Sequence, residues 1–121
     1  MYDYDKRKQK RAEYKHPVVL EVMSELLTVA ESYPCNVRDV SARGARVESP
    51  VDLPAGTRVR IKITIENMSG RHTVAPYGRV RWTRKTGENG PWQMGIELSA
   101  TPSTDFQKWA EFAKKKATFL F

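Results

Sequence analysis

Two short polar segments contain the residues whose types and spacing could bind a ligand. The first, near the amino terminus, carries two arginines four residues apart, Arg7 and Arg11, within a basic run. In the second, residues 39–44, Asp39 and Ser41 stand at alternate positions and Gly44 follows three residues later. The planar fork of arginine can grip a phosphate or stack on a flat ring, while a carboxylate and a hydroxyl can hydrogen-bond to polar groups. These residue types suit the recognition of a polar anion.

Each segment also has a simpler interpretation. Taken alone, the basic residues 6–11 are a solvated tail, and residues 39–44 are an Asx-type turn between strands, which is compatible with ligand binding. The sequence shows no paired catalytic carboxylates, no nucleophile with a base and no phosphate-binding glycine loop. His16 and His72 are far apart, and no cysteine or carboxylate stands at metal-ligand spacing from either. We therefore expect no enzymatic activity, no metal site and no cofactor.

The composition indicates a single domain. The 121 residues include 21 Lys and Arg against 14 Asp and Glu, a net charge of +7 that favours anionic partners. A chain of this size buries roughly two-thirds of its surface around one core. The lone Cys35 cannot form an intramolecular disulfide, and we expect it to be a small core residue. The sequence shows no secretory signal pattern and no apolar run near the ~20 residues that cross a bilayer, so we expect a cytoplasmic protein without membrane insertion.

Alternating hydrophobicity predicts the strands that position the two polar segments. Every second residue from Val59 to Ile65 is aliphatic and the residues between are polar, as in a strand with one buried face. Weaker alternation predicts strands near residues 18–23, 79–83 and 92–98, separated by turns rich in glycine, proline and asparagine. Residues 24–33 are ambiguous between a strand and a helical turn, and Tyr33-Pro34 is expected to interrupt the chain before residues 35–40.

The two ends of the chain differ from this strand pattern. Residues 1–16 have no apolar period and end before Pro17, so we predict a flexible basic arm followed by one domain, residues 17–121. Apolar residues at helical spacing predict a helix over residues 104–117 that packs on the sheet. Short strands with regular turns are typical of a barrel or a sandwich.

The order and spacing of the two polar segments resemble the PilZ domain family. Members carry an RxxxR arm followed further along the chain by [D/N]xSxxG, and this sequence has both motifs. The likeness extends to later strands and covers nearly the whole chain; the segments concerned are Gly78-Arg79-Val80-Arg81-Trp82 and Met94-Gly95-Ile96-Glu97-Leu98.

The resemblance implies both a fold and a ligand. The implied fold is mainly β, a six-stranded antiparallel β-barrel with a C-terminal helix, and the ligand is the bacterial second messenger cyclic di-GMP. By this resemblance Arg7 and Arg11 pair with guanine or phosphate, since the arginine fork matches guanine O6 and N7. Asp39 would accept hydrogen bonds from guanine N1 and N2, and Ser41 would meet the base or a phosphate. Gly44 would supply a positive φ or a close backbone approach.

Four further residues are candidate contacts for the same ligand. Lys6 and Lys10 flank the arginines and could meet the phosphates of a second, stacked nucleotide. Arg81 and Trp82 lie on a strand that the family places near the site. Because alternation groups Trp82 with the apolar residues of its strand, burial in the core is its expected role.

We therefore predict a non-enzymatic cyclic di-GMP receptor whose ligand orders the arm over the barrel and changes a surface that contacts an effector protein. The sequence does not identify that effector. Two alternatives remain: an adaptor of the same family that binds no nucleotide, and a basic module that binds single-stranded nucleic acid by charge and stacking. Strand aromatics are few and Asp39 would repel a nucleic-acid backbone, so no specific nucleic acid is expected.

Overall fold

Antiparallel strands make up most of the molecule. A computed structural model describes residues 15–67, 70–99 and 104–120, and within these ranges it has seven strands followed by one helix. The strands are β1 (His16–Met23), β2 (Val29–Ser41), β3 (Gly44–Ser49), β4 (Arg58–Asn67), β5 (Gly70–Val74), β6 (Tyr77–Lys85) and β7 (Trp92–Leu98). The helix, α1, spans Thr104–Leu120. Every strand pairing is antiparallel.

Six of these strands close into a barrel. Their hydrogen-bonded order is β1-β2-β3-β7-β6-β4, and β4 returns to pair with β1. At this closing seam Glu21 lies opposite Arg60, and the Arg60 Nε donates to Oε1 of the buried Glu21 at 2.7 Å. β5 stays outside the ring and pairs with β4 alone. The predicted six-stranded antiparallel barrel with a C-terminal helix is confirmed.

The alternating aliphatic side chains of β4 point into the barrel and fill its interior. Val59 and Ile61 are fully buried, Ile63 is nearly so, and Ile65 packs at the edge of the core. Aliphatic side chains from the other barrel strands meet them, and each contributes about 1.5–3 kcal/mol by leaving water. Cys35 lies among these side chains as expected, and burial raises the pKa of its thiol.

Helix α1 packs its apolar stripe on the barrel. Trp109 is fully buried, and Phe112 and Ala113 are nearly so. The rings of Phe112 and His16 pack in a T-shaped arrangement with the centroids 5.6 Å apart, which ties the helix to the start of β1. No helix in the described ranges is both long enough and apolar enough to cross a membrane.

Proline 34 lies inside a strand instead of ending one. β2 runs without interruption from Val29 to Ser41, with Pro34 opposite Val19 of β1. Pairing between β2 and β3 begins only at Asn36, so the chain at Pro34 has a strand neighbour on one side only. An edge position tolerates a residue without an N–H group. The expected interruption at Tyr33-Pro34 is therefore wrong.

Candidate functional site

Two rows of residues cross the outer face of four adjacent barrel strands, β6, β7, β3 and β2. Residues in register across an antiparallel pair place their side chains on the same face of the sheet. The first row is Trp82, Gly95, Arg46 and Asp39. The second row is Arg79, Glu97, Gly44 and Ser41. Members of both rows line an open cleft of about 360 Å³.

This cleft brings together five residues that the sequence singled out. Asp39 and Ser41 come from the end of β2, and Gly44 begins β3 after a two-residue turn. Arg81 and Trp82 come from β6, on the opposite side of the cleft. The remaining predicted contacts lie outside the described residues, and their role stays a prediction: Lys6, Arg7, Lys10 and Arg11.

The carboxylate of Asp39 is held by a neighbouring guanidinium. Arg46 donates to Oδ2 of Asp39 from Nε at 2.9 Å and from Nη2 at 2.8 Å. Both side chains are partly exposed, at 33% for Asp39 and 25% for Arg46, so the pair stands at the wall of the cleft. Two charge-assisted bonds to one oxygen restrict how the carboxylate can turn. Sequence reasoning gave Arg46 no role, although its position two residues after Gly44 places it on the same face of β3.

A close approach between two strands explains the glycine of the motif. The φ of Gly44 is outside the left-handed region, in contrast to Gly56, Gly70 and Gly87. A Cβ at residue 44 would collide with the carbonyl oxygen of Ile96 on β7. Of the two reasons anticipated for this glycine, the close backbone approach is therefore the one observed.

The backbone around Ser41 is fixed from two directions. The indole Nε1 of the buried Trp109 donates to the Ser41 carbonyl at 2.9 Å, which links helix α1 to the motif. From the other side, the Leu98 amide donates to the Arg43 carbonyl at 2.8 Å. Among the residues that the structure describes, the partner of the Ser41 hydroxyl is the Gly44 carbonyl, at a long 3.5 Å. A rigid backbone thus presents a weakly engaged hydroxyl to the cleft.

Trp82 lies on the outer surface of the barrel. Its side chain is 41% exposed, whereas Val80, two residues earlier, is 1% exposed. The register explains the difference, because Val80 pairs with Ile96 and Trp82 pairs with Gly95, which leaves Arg81 as an extra residue in β6. Such a bulge changes the face on which the following side chains lie. The expectation that Trp82 is buried in the core is therefore wrong.

The indole of Trp82 covers a strand position that has no side chain. A Cβ at Gly95 would collide with the indole, so the ring lies directly on the backbone of β7. The Arg84 guanidinium lies 5.5 Å from the ring centroid, within cation–π distance. The sequence contained one signal for this arrangement, a glycine in the middle of a strand pattern, which often marks a close approach or a bulge.

The charged side chains near the indole are exposed to solvent. Arg81 and Glu97 form an ion pair at 3.4 Å, and both side chains are more than half exposed, so the pair is weak and can open. An aromatic face beside exposed guanidinium groups can stack a flat ring and hold an anion. Within the residues that the structure describes, no group of three or more His, Cys, Asp or Glu side chains could hold a metal ion.

Comparison with known proteins assigns the chain to a family. Its structure is similar to that of the Bacillus subtilis inhibitor of motility (MotI/DgrA), with a TM-score of 0.66 and 15% sequence identity, which shows a shared fold. The match covers 88% of this chain and 48% of that one, so this chain spans about half the length of that protein. A search of curated proteins found none that matches. A family model described as the PilZ domain matches residues 5–113, a range that includes both polar motifs, and the chain therefore belongs to the PilZ domain family.

Proposed function

We propose that this chain is a receptor for cyclic di-GMP and that the nucleotide binds in the cleft formed by β2, β3, β6 and β7. The observation that carries the proposal is the meeting of Asp39, Ser41 and Gly44 with Arg81 and Trp82 in one open cleft. A ligand with two guanines and two phosphates needs a carboxylate, an aromatic face and cations in one place. The cleft lining contains all three.

Asp39 provides the base selectivity in this proposal. Guanine presents N1–H and N2–H donors on one edge, and an ionised carboxylate accepts both. Adenine lacks that pair of donors, so it would make fewer hydrogen bonds to the carboxylate. Arg46 already restricts the orientation of Asp39, so part of the entropy cost of ordering the carboxylate is met before the ligand arrives.

The basic arm supplies positive charge that the cleft lacks. The lining contains three arginines against two acidic residues, and two of the arginines are already paired with those acids. A ligand with two phosphates therefore needs further cations, and Arg7 and Arg11 would provide them. An arm that becomes ordered on binding couples ligand occupancy to a change of surface, which an effector protein would read.

Isothermal titration calorimetry tests the proposal directly. Cyclic di-GMP is titrated into the full chain at moderate salt, with GTP, cyclic di-AMP and a short single-stranded oligonucleotide as comparisons. Saturable binding of cyclic di-GMP alone is expected. Arg7→Ala and Arg11→Ala should each weaken it about tenfold or more, since a bidentate arginine contact contributes about 1–3 kcal/mol. Lys8→Ala, which removes one charge between the two arginines but no fork, is the matched control and should change the affinity less than about threefold.

Other outcomes separate the alternatives. No heat at several temperatures, together with a melting curve that cyclic di-GMP does not shift, would contradict the proposal and leave an adaptor that binds no nucleotide. Binding of the oligonucleotide with a steep salt dependence would favour the nucleic-acid module instead.

A further inference from the structure

The hairpin tip, residues 24–31, comprises the turn after β1 and the first three residues of β2, and it combines acidic and exposed apolar side chains. Leu26 is 86% exposed, Leu27 is 56% exposed and Val29 is 43% exposed. Glu25 and Glu31 flank these residues. Residues 16–37 contain three glutamates and no lysine or arginine, although the whole chain carries a net charge of +7. Adjacent exposed aliphatic side chains of this kind mark an interaction site more often than isolated ones do.

The backbone of the hairpin tip adopts a costly conformation. Leu27 has a φ of 58°, in the left-handed region that glycine and asparagine occupy far more readily than leucine. This conformation costs a leucine about 1 kcal/mol. The Ser24 hydroxyl supports the turn by accepting the amide hydrogens of Leu26 and Thr28, each at 3.2 Å. A glycine at residue 27 would remove the strain, and strained backbone of this kind clusters at functional sites.

A basic face lies at the same end of the barrel. Arg58 on β4 and Arg79 on β6 are exposed and directly opposite each other. Like charges in this position destabilise a strand pair, and among the described residues neither arginine forms an ion pair. Tyr77, 42% exposed, adds an apolar ring on β6. Val22 of β1 is in register with Val59, so the hairpin tip begins beside this basic face.

We propose that the hairpin tip and the basic face form a self-complementary interface between two copies of this chain. The tip of each copy contacts the basic face of the other, with Glu25 and Glu31 near Arg58 and Arg79. Because the tip and the face adjoin on one molecule, a two-fold rotation satisfies both contacts at once. The leucines of the tip then leave water against the Tyr77 side of the face. This association does not depend on nucleotide binding.

Analytical ultracentrifugation of the full chain from micromolar to millimolar concentration tests the interface. A reversible dimer is expected, and added salt should weaken it. The charge reversals R58E/R79E and E25K/E31K should each raise the dimer dissociation constant at least tenfold. In an equimolar mixture of these two variants, the acidic tip meets a basic face and the basic tip meets an acidic face. Mixing should therefore restore dimers, whereas each variant alone should dimerise at least tenfold more weakly than the wild type.

Two further variants separate the interface from general effects. R71E/K85E makes the same change of net charge at exposed positions on β5 and at the end of β6, and it should leave the dimer unchanged. Leu27→Gly should raise the melting temperature slightly, by relieving the left-handed leucine, and should weaken the dimer several-fold. Stability and association thus move in opposite directions.

Four results would overturn the proposal. The wild-type chain could remain monomeric throughout the concentration range, mixing could fail to restore association, or R71E/K85E could weaken the dimer as much as R58E/R79E. Binding of the hairpin tip to neutral phosphatidylcholine vesicles, lost in Leu27→Gly, would identify a lipid surface as the occupant in place of a second copy.

Discussion

Replacing either of two glycines beneath the cleft by alanine adds the same methyl group, but we expect different effects on stability. Gly44→Ala places a methyl group against the Ile96 carbonyl oxygen, which is part of the backbone of β7. Gly95→Ala places a methyl group against the indole of Trp82, a side chain that is 41% exposed. A backbone held in a ladder cannot move alone, whereas an exposed indole can rotate away. The first variant therefore tests the barrel and the second tests the cleft.

For Gly44→Ala, we expect a large loss of stability. β3 and β7 must separate where residue 44 is in register with Glu97, and the nearby Leu98 amide donates to the Arg43 carbonyl at 2.8 Å. Two or three weakened hydrogen bonds at about 1 kcal/mol each, together with loosened packing around Ile96, amount to roughly 3 kcal/mol. At roughly 4 °C per kcal/mol for a domain of this size, the melting temperature should fall by about 12 °C.

For Gly95→Ala, the opposing effects nearly cancel in the free energy of unfolding. Moving Trp82 forfeits its contact with Arg84, about 0.5–1 kcal/mol for an exposed cation–π pair. Replacing a strand glycine by alanine recovers about 0.5–1 kcal/mol of backbone entropy. The net change should lie within about 1 kcal/mol, or about 4 °C in melting temperature. The displaced indole should nevertheless alter the near-ultraviolet circular dichroism spectrum and weaken cyclic di-GMP binding.

Thermal melts followed by far-ultraviolet circular dichroism measure both variants under one condition. Equal losses of stability in the two variants would refute the distinction between a backbone and a side-chain collision. A melting temperature of Gly44→Ala within about 4 °C of the wild type would show that β3 and β7 can separate freely.

Three further changes have defined outcomes. Trp109→Phe removes the donor to the Ser41 carbonyl, and urea unfolding should show a loss of about 2 kcal/mol; no loss would mean that water replaces the bond. Burial raises the pKa of the Cys35 thiol, so the folded state keeps the thiol proton to a higher pH than the unfolded state does. The free energy of unfolding should therefore fall as the pH rises above about 9. Cys35→Ala should remove this part of the pH dependence, measured by urea unfolding, and an unchanged pH dependence would contradict the reasoning. Arg46→Lys keeps the charge but cannot donate twice to Asp39, so calorimetry should show a several-fold lower preference for cyclic di-GMP over cyclic di-AMP, and an unchanged preference would exclude this positioning role.

Strand alternation and regular turns predicted a barrel or a sandwich, and the resemblance to the PilZ family implied the six-stranded barrel. The alternation is strictest in β4. β4 alternates without exception from Arg58 to Ile65, and a register error of one residue would expose every aliphatic side chain on it. The helix was predictable for a related reason, since Trp109, Phe112 and Ala113 share one face.

Elements that lie outside the ring or at its edge were not predictable in the same way. β5 pairs with β4 alone, and its residues Arg71 to Thr73 are polar, so no alternation marks it. The edge of β2 at Pro34 faces no second strand, which lets a proline stand where sequence reasoning expects a break. In both cases the outcome depends on which strands pair with the element, and strand pairing is set by the topology of the whole barrel.

Some residues of the cleft could be predicted from the sequence and others could not, for the same reason. Asp39, Ser41 and Gly44 lie within six consecutive residues, so their likeness to the [D/N]xSxxG motif of the PilZ family could be recognised in the sequence. Trp82 was a candidate contact through the family resemblance, but its exposure could not be predicted. One extra residue, Arg81, moves it from the core face to the cleft, and strand alternation contains no record of that insertion. Without the bulge the indole would enter a filled core and the cleft would lose its aromatic wall. The site therefore combines a regular motif on β2 and β3 with an irregularity on β6, and only the register across β7 shows that the two face each other.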